Sequence, residues 1–453
     1  MKKIIFILMF AVVFSGVLLT PAFSASSPPD LVSEAAILID ATTGVVLYEK
    51  NIDMLFEPAS TTKIMTCLLT LENFPLSRII TVDAVSPFTG GSRIYIAEGE
   101  ELTVEQLLYA TMLYSANDTS AALAIAISGS VEEFAVLMNE KASQLGAKNP
   151  SYKNPHGLHE AGHLASAYDL AMVAREAMKN PIFRQIVSTK QYTIPETNKQ
   201  EERAYIYTTN LLLYDAETKV PVKGVMTPAK YEGAIGIKTG YTPQAGASLV
   251  AAALRDGTEL ISVVLKTTEV DRFGDTIALF DYGFENYYTY KAVDSSLQID
   301  DAKVRNGSVN RVSVAMAGDS YITLPKEASV SLVATKIVMD EKIIAPISEG
   351  QQLGIVEVYE GDKIIDEIAI LATSSVPEGR FLSRFGIEDK TSSVIMTCAL
   401  ILLVILVLVC LTYGFLVVRY ALIRRSNRAK RAREIANERE RKKQDQNQRR
   451  WPY

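Results

Sequence analysis

Residues 57–66 read EPASTTKIMT, residues 112–124 read MLYSANDTSAALA, and residues 233–242 read GAIGIKTGYT. In the first, Pro58 and Ser60 stand ahead of an apolar run with helical spacing, which predicts a helix start. Ser60 and Lys63 then lie at i and i+3 on one helix face. A serine needs a base to become a nucleophile, and a lysine can serve where burial or a nearby cation lowers its pKa. Backbone N–H groups at a helix start also suit a developing oxyanion. In the second stretch, Ser115-Ala116-Asn117 interrupts two apolar helical runs with polar groups. In the third, an apolar strand ends on Lys238-Thr239-Gly240, where glycine leaves room for a ligand beside the backbone. Taken singly, each has a plain structural reading as a helix cap, an inter-helix turn or a strand end, and for Ser115-Ala116-Asn117 that reading is the favoured one.

Together they are far more specific. S-x-x-K, S-x-N and K-T-G in that order, roughly 55 and 120 residues apart, form the signature set of penicillin-recognising serine acyltransferases. With the flanking stretches IAEGEELTVEQLLYATMLYSAND, NPHGLHEAGHLASAYDLA and GIKTGYTPQAGASLVAAA, the sequence resembles the low-molecular-mass penicillin-binding proteins, serine-type D-alanyl-D-alanine carboxypeptidases of peptidase family S11. The resemblance runs from about Pro29 to Leu371. It implies an α/β (α+β) transpeptidase fold of the penicillin-binding and β-lactamase type, followed by a small all-β domain.

The same resemblance implies roles. Ser60 is then the acylated nucleophile and Lys63 its general base. Ser115 relays a proton to the leaving D-alanine, and Asn117 holds Lys63 and the substrate backbone. Lys238 and Thr239 of the Lys238-Thr239-Gly240 strand end meet the substrate carboxylate, the N–H groups of Ser60 and Tyr241 form the oxyanion hole, and Arg272 matches a carboxylate-binding arginine. The implied partners are peptidoglycan stem peptides ending in D-Ala-D-Ala, with β-lactams as covalent inhibitors and a place in cell-wall synthesis and cell shape. No cofactor or metal is implied.

The histidines pose a separate question, because His156, His159 and His163 are the only three in the chain and fall within NPHGLHEAGH. Imidazole is a common metal ligand. No carboxylate stands at a zincin spacing, however, and Pro155 and Gly157 disfavour the helix that presents H-E-x-x-H. A structural loop is the expectation.

Around the motifs, AAILIDATTGVVLYEKN alternates around a Thr-Thr-Gly turn and reads as a hairpin. Helical patterns follow, and strands return with GAIGIKTGYT and ASLVAAALRDGTELISVVLK before a helix through TIALFDYGFENYY. Strands at both ends of a helical stretch predict one sheet completed by distant chain. The expected divisions are a catalytic domain over 29–290, a β domain over 293–376 and a linker over 377–391.

The ends carry addresses. Residues 1–25 have a basic start, a short apolar run and small residues suited to signal-peptidase cleavage. Residues 392–418 are apolar and uncharged for longer than the roughly 20 residues a bilayer span needs, and the basic tail 419–453 belongs in the cytoplasm by the positive-inside rule. The expected location is therefore a bacterial cell membrane crossed once, with the catalytic part outside. Formal net charge is −6 although the tail is basic, so the exported part is acidic, which argues against a nucleic-acid-binding ectodomain. Cys67 alone among the three cysteines lies outside the apolar segment, so no disulfide supports the exported fold. Three rival functions are a β-lactamase with an efficient deacylation base, a non-catalytic membrane β-lactam sensor, and a cell-wall protein with a decayed site.

Overall fold

The computed structural model describes residues 26–328 and 330–449; the expected signal segment lies outside them. Two compact units emerge. The first comprises the chain through Val293 with Ser320–Ala334 and Tyr359–Lys363; the second holds Asp294–Asp319, Thr335–Val358 and the chain from Ile364 onward.

The first unit is organised by a five-stranded antiparallel sheet. Its strands are β1 (Ala35–Asp40), β2 (Val46–Lys50), β3 (Ala234–Thr242), β4 (Gly246–Arg255) and β5 (Thr258–Thr267), in spatial order β2-β1-β5-β4-β3. The expected hairpin and the sheet completed by distant chain are both present, with Ala35 opposite Leu265 and Asp40 opposite Leu260. Only β2 keeps the expected alternation. β1 is buried at all six positions, because it lies inside the sheet and both its faces are covered, which makes a continuous apolar run the stable choice.

Two cores follow from that. Ala35, Ile37 and Ile39 join a large cluster with residues of the helices α1 (Lys63–Asn73), α2 (Val104–Tyr109), α3 (Asn117–Ser128), α4 (Val131–Gln144), α5 (Ala167–Met178) and α6 (Pro181–Ser188). Ala36 and Leu38 face the opposite way, onto Phe273, Ile277 and Phe280 of α7 (Asp271–Asn286). The S-A-x-D-L-A stretch is a capping box: Asp169 N–H donates to Ser166 Oγ and Ser166 N–H to the Asp169 carboxylate, which fixes where α5 begins.

Differences from expectation concern ends. α7 begins earlier, at Asp271, and stops at Asn286; Tyr287 and Tyr288 open strand β6 (Tyr287–Val293), which pairs with β7 (Ser320–Pro325). The strand β7, expected in the β domain, therefore groups with the first unit. The second unit centres on a four-stranded sheet of Val314–Met316, Lys363–Ala372, Gln352–Glu360 and Val333–Met339 in that order. The expected linker contains a helical turn, Phe381–Phe385. Helix α8 runs from Asp389 to Gln448, so the apolar segment and most of the basic tail form one helix; nothing in the sequence between Val418 and Arg419 breaks helical propensity.

Candidate active site

Ser60 lies in a 3-10 turn, Ala59–Thr62, that leads directly into α1. Two glycines press on this turn from distant chain. A Cβ at Gly157 would lie 1.8 Å from the Ala59 carbonyl oxygen, and Gly157 has φ +83°. A Cβ at Gly240 would lie 2.6 Å from Ser248 Oγ and 3.0 Å from the Pro58 carbonyl oxygen. Both positions require glycine for close approach. Ala59 itself holds φ +49°, an uncommon conformation for a residue with a Cβ, beside the candidate nucleophile.

The i, i+3 spacing brings Lys63 Nζ to 2.9 Å from Ser60 Oγ. The amine is fully buried and also lies 2.7 Å from Asn117 Oδ1 and 2.7 Å from the His156 carbonyl oxygen. A neutral amine has two N–H donors and one lone pair. In the ammonium form Lys63 donates to all three oxygens, while in the neutral form Asn117 and His156 take both donors and the lone pair is left for the Ser60 O–H. Burial first, and the charge of Lys238 second, hold the Lys63 pKa well below that of an ordinary lysine, since both penalise the ammonium form.

Ser115 and Asn117 owe their placement to a break in the helix. The chain leaves α2 through a π-helical turn, Ala110–Tyr114, and Ser115 adopts the left-handed conformation with φ +65° before α3 starts. Single π turns of this kind recur at functional sites. Asn117 is fixed by Nδ2 donating to the Gly90 carbonyl at 2.7 Å and by its backbone N–H donating to the Ser92 carbonyl at 2.7 Å. Asp118, buried beside it, accepts from the N–H groups of Ile94, Ile96 and Thr119 and so shapes the loop 90–97.

Strand β3 forms the facing wall. Lys238 is 1% exposed, and its amine donates to the Thr239 carbonyl at 3.1 Å. Burial and then the nearby Arg272 guanidinium push its pKa down to about 7. Thr239 Oγ1 lies 2.5 Å from Thr209 Oγ1, and Tyr241 is half exposed at the end of the strand. Arg272, on the first turn of α7, donates from Nη1 to the Gly240 carbonyl at 3.2 Å, while its buried Nε has no partner. All nine expected site residues therefore lie on the nucleophile turn, the 115–117 break, strand β3 and the start of α7, and the contacts above tie these elements together.

The histidine loop supplies what sequence reasoning missed. The His156 backbone carbonyl, rather than its ring, is an acceptor for Lys63. Thr66 Oγ1 donates to the Pro155 carbonyl at 2.6 Å. The His163 ring accepts from Lys153 N–H at Nδ1, 3.1 Å away, so Nε2 carries the proton and donates to Thr62 Oγ1 at 2.9 Å. Burial leads in lowering the pKa of His156 to about 3 and of His163 to about 4. His159 pairs on the surface with Glu57. The three rings do not converge, and among the described residues no group of three His, Cys, Asp or Glu is placed to hold a metal. Pro155 and Gly157 marked a loop in the sequence, but not that this loop approaches another backbone.

Comparison with known proteins shows the family and the fold. Residues 22–269 match the family described as D-alanyl-D-alanine carboxypeptidase, peptidase S11, and residues 287–378 match the C-terminal domain of penicillin-binding protein 5. The chain belongs to peptidase family S11. Among curated S11 relatives, the D-alanyl-D-alanine carboxypeptidase DacF of Bacillus subtilis is 33% identical over 78% of this chain and 87% of its own length. DacA of Escherichia coli is 28% identical over 79% of this chain and 86% of its own. Penicillin-binding protein 5 of Haemophilus influenzae, a solved structure, superposes with a TM-score of 0.61 at 28% identity, covering 78% of this chain and all of the other. The transpeptidase fold and its appended β domain are thus those of the low-molecular-mass penicillin-binding proteins.

Proposed function

We propose that this S11 enzyme removes the terminal D-alanine from peptidoglycan stem peptides through an acyl-enzyme on Ser60. The observation that carries the reading is the buried Lys63 amine, 2.9 Å from Ser60 Oγ and 2.7 Å from both Asn117 Oδ1 and the His156 carbonyl oxygen, a set that leaves the lone pair of a neutral amine for Ser60. The Ser60 proton passes to Lys63 as Oγ bonds to the carbonyl carbon before the last residue. The N–H groups of Ser60 and Tyr241 receive the oxyanion. The C–N bond then breaks, and Lys63 returns the proton to the leaving amine by way of Ser115. Water hydrolyses the ester with Lys63 again as base. Lys238, Thr239 and Arg272 hold the terminal carboxylate. A β-lactam acylates the same oxygen.

The remaining assignments are part of the same proposal. Residues 1–25 are a cleaved signal, 29–290 the catalytic domain, 293–376 a spacer domain, 392–418 the span, and 419–453 a cytoplasmic tail. The uncharged apolar stretch of α8 supports the membrane reading, and the basic residues after it support the orientation.

The test is free D-alanine release by the full-length protein from a peptide ending in D-Ala-D-Ala, with and without penicillin. Penicillin-sensitive release is expected, and Ser60→Ala removes both release and the penicilloyl adduct seen by intact mass. An adduct surviving in that variant overturns the assignment. A stable adduct with no release favours a β-lactam sensor, and rapid penicillin turnover favours a β-lactamase.

A further inference from the structure

The segment between the β strands and the membrane helix is built rather than slack. Glu378 bridges to Gly307, and Gly379 N–H donates to the Asn306 carbonyl at 2.7 Å. Gly379 also sits where a Cβ would lie 2.4 Å from the Gly307 carbonyl oxygen and 2.5 Å from Ser383 Cβ. At the start of α8, Asp389 N–H donates to the Ser308 carbonyl, and the Asp389 carboxylate accepts from Arg380 N–H at 2.8 Å. The turn Phe381–Phe385 is thereby fastened at both ends, with Ser383 turned inward and its Oγ donating to the Arg380 carbonyl.

On this fixed turn two aromatic rings face outward. Phe381 is 72% and Phe385 71% exposed, and the rings meet edge to face at 5.9 Å. Leu382 and Phe381 line a half-open cavity of about 320 Å³ together with Arg380, Ser393, Met396 and Thr397. Arg384, on the same turn, has no ion-pair or hydrogen-bond partner among the described residues. The floor of the cavity is the first turns of α8. The uncharged run from 391 to 418 is longer than a hydrocarbon core requires, so its polar start, Thr391-Ser392-Ser393, falls at headgroup depth.

We propose that this juxtamembrane cavity binds one phospholipid of the leaflet on the catalytic side, with the phosphate on Arg380 and Arg384 and an acyl chain against Phe381 and Met396. The occupant follows from continuity: the wall of the cavity is the bilayer-spanning helix itself, so lipid is its neighbour at that depth. Aromatic rings favour the interface, and exposed guanidinium groups favour phosphate. Phe385, outside the cavity but edge to face with Phe381, adds a second exposed ring on the same turn. This inference rests on the reading of α8 as a span, and its test separates the two.

The full-length chain carries one tryptophan, Trp451, so Trp451→Phe combined with Phe385→Trp gives a single reporter. In phosphatidylglycerol–phosphatidylcholine vesicles, with bromines at set depths along the acyl chain, shallow bromines should quench that indole by at least half. Trp451→Phe with Leu408→Trp reports the span, and deep bromines should quench it. Quenching at position 408 but none at 385 overturns the lipid site and keeps the span; quenching at neither overturns both. Native mass spectrometry of detergent-extracted protein supplies the second readout. Arg380→Gln with Arg384→Gln should reduce retained phosphatidylglycerol by about fivefold or more. Unchanged retention overturns the role of the two arginines.

Discussion

The nucleophile turn and strand β3 each bury a lysine, yet they treat it differently. Lys63 meets two acceptors and a serine hydroxyl, a set that satisfies a neutral amine. Lys238 meets one neighbouring carbonyl, with Arg272 beside it, which leaves donors free for an anion from outside. Burial is the leading cause of the lowered pKa in both, with a neighbouring cation second; the difference in partners is what fits Lys63 to the proposed base and Lys238 to the proposed anion clamp. Each lysine also serves the other, since the charge on Lys238 helps hold Lys63 neutral.

Replacing either lysine tests this division of roles. Lys63→Gln keeps hydrogen-bonding capacity but removes the base, and kcat/KM for D-alanine release should fall by ~10³- to 10⁴-fold, with penicillin acylation falling in parallel. A variant retaining a tenth of wild-type acylation would show that Lys63 is not the base.

Lys238→Gln should cost about 10²-fold in kcat/KM on a peptide with a free C-terminal carboxylate, the size of one lost charged hydrogen bond. On the same peptide with an amidated terminus the loss should be small, and an equal loss on both would refute the clamp. Arg272→Gln, acting at the far side of the same carboxylate, should cost about tenfold with the same preference for the free acid.

The pH profile sharpens the division. Activity requires Lys63 neutral, so kcat/KM rises as pH climbs through its lowered pKa. It also requires Lys238 charged, so kcat/KM declines as pH passes about 7 in the free enzyme. A bound carboxylate stabilises the ammonium of Lys238, and kcat should therefore persist to higher pH than kcat/KM. In Lys238→Gln the acid limb should move to higher pH, because the cation that depressed Lys63 is gone; an unmoved limb would mean that the two lysines are not coupled.

The smallest effect concerns the loop beneath both. His163 is neutral when folded, with its pKa lowered to about 4 against 6.5 unfolded. The unfolded state binds the proton first, so stability is full above pH 6.5 and declines as pH falls toward 4, by at most about 3.5 kcal/mol. His163→Gln keeps a polar partner for Thr62 but cannot titrate, and its melting temperature should depend less on pH across that window.

What was legible in the sequence was the part governed by local spacing. Ser60 and Lys63 are one helical turn apart, and Lys238 lies on an apolar strand; such relations are fixed by period. The apolar segment of α8 was equally plain, since composition alone defines it. Less legible was whatever depends on one backbone passing another. The His156 carbonyl that accepts from Lys63 carries no side-chain signature, and Gly157 reads as a loop glycine until the Ala59 oxygen is seen beside it. The exchange of β7 into the first unit likewise depends on distant pairing partners, from Val293 with Ser320 to Tyr287 with Pro325, which alternation does not specify.

The Gly157–Ala59 contact has a consequence for the protein's life before it works. The turn that carries Ser60 is shaped by a loop roughly 100 residues later in the chain and by a strand later still. On the proposed mechanism, acylation of Ser60 would therefore report completed assembly, and a fluorescent penicillin would count only those molecules in which the distant loop has docked.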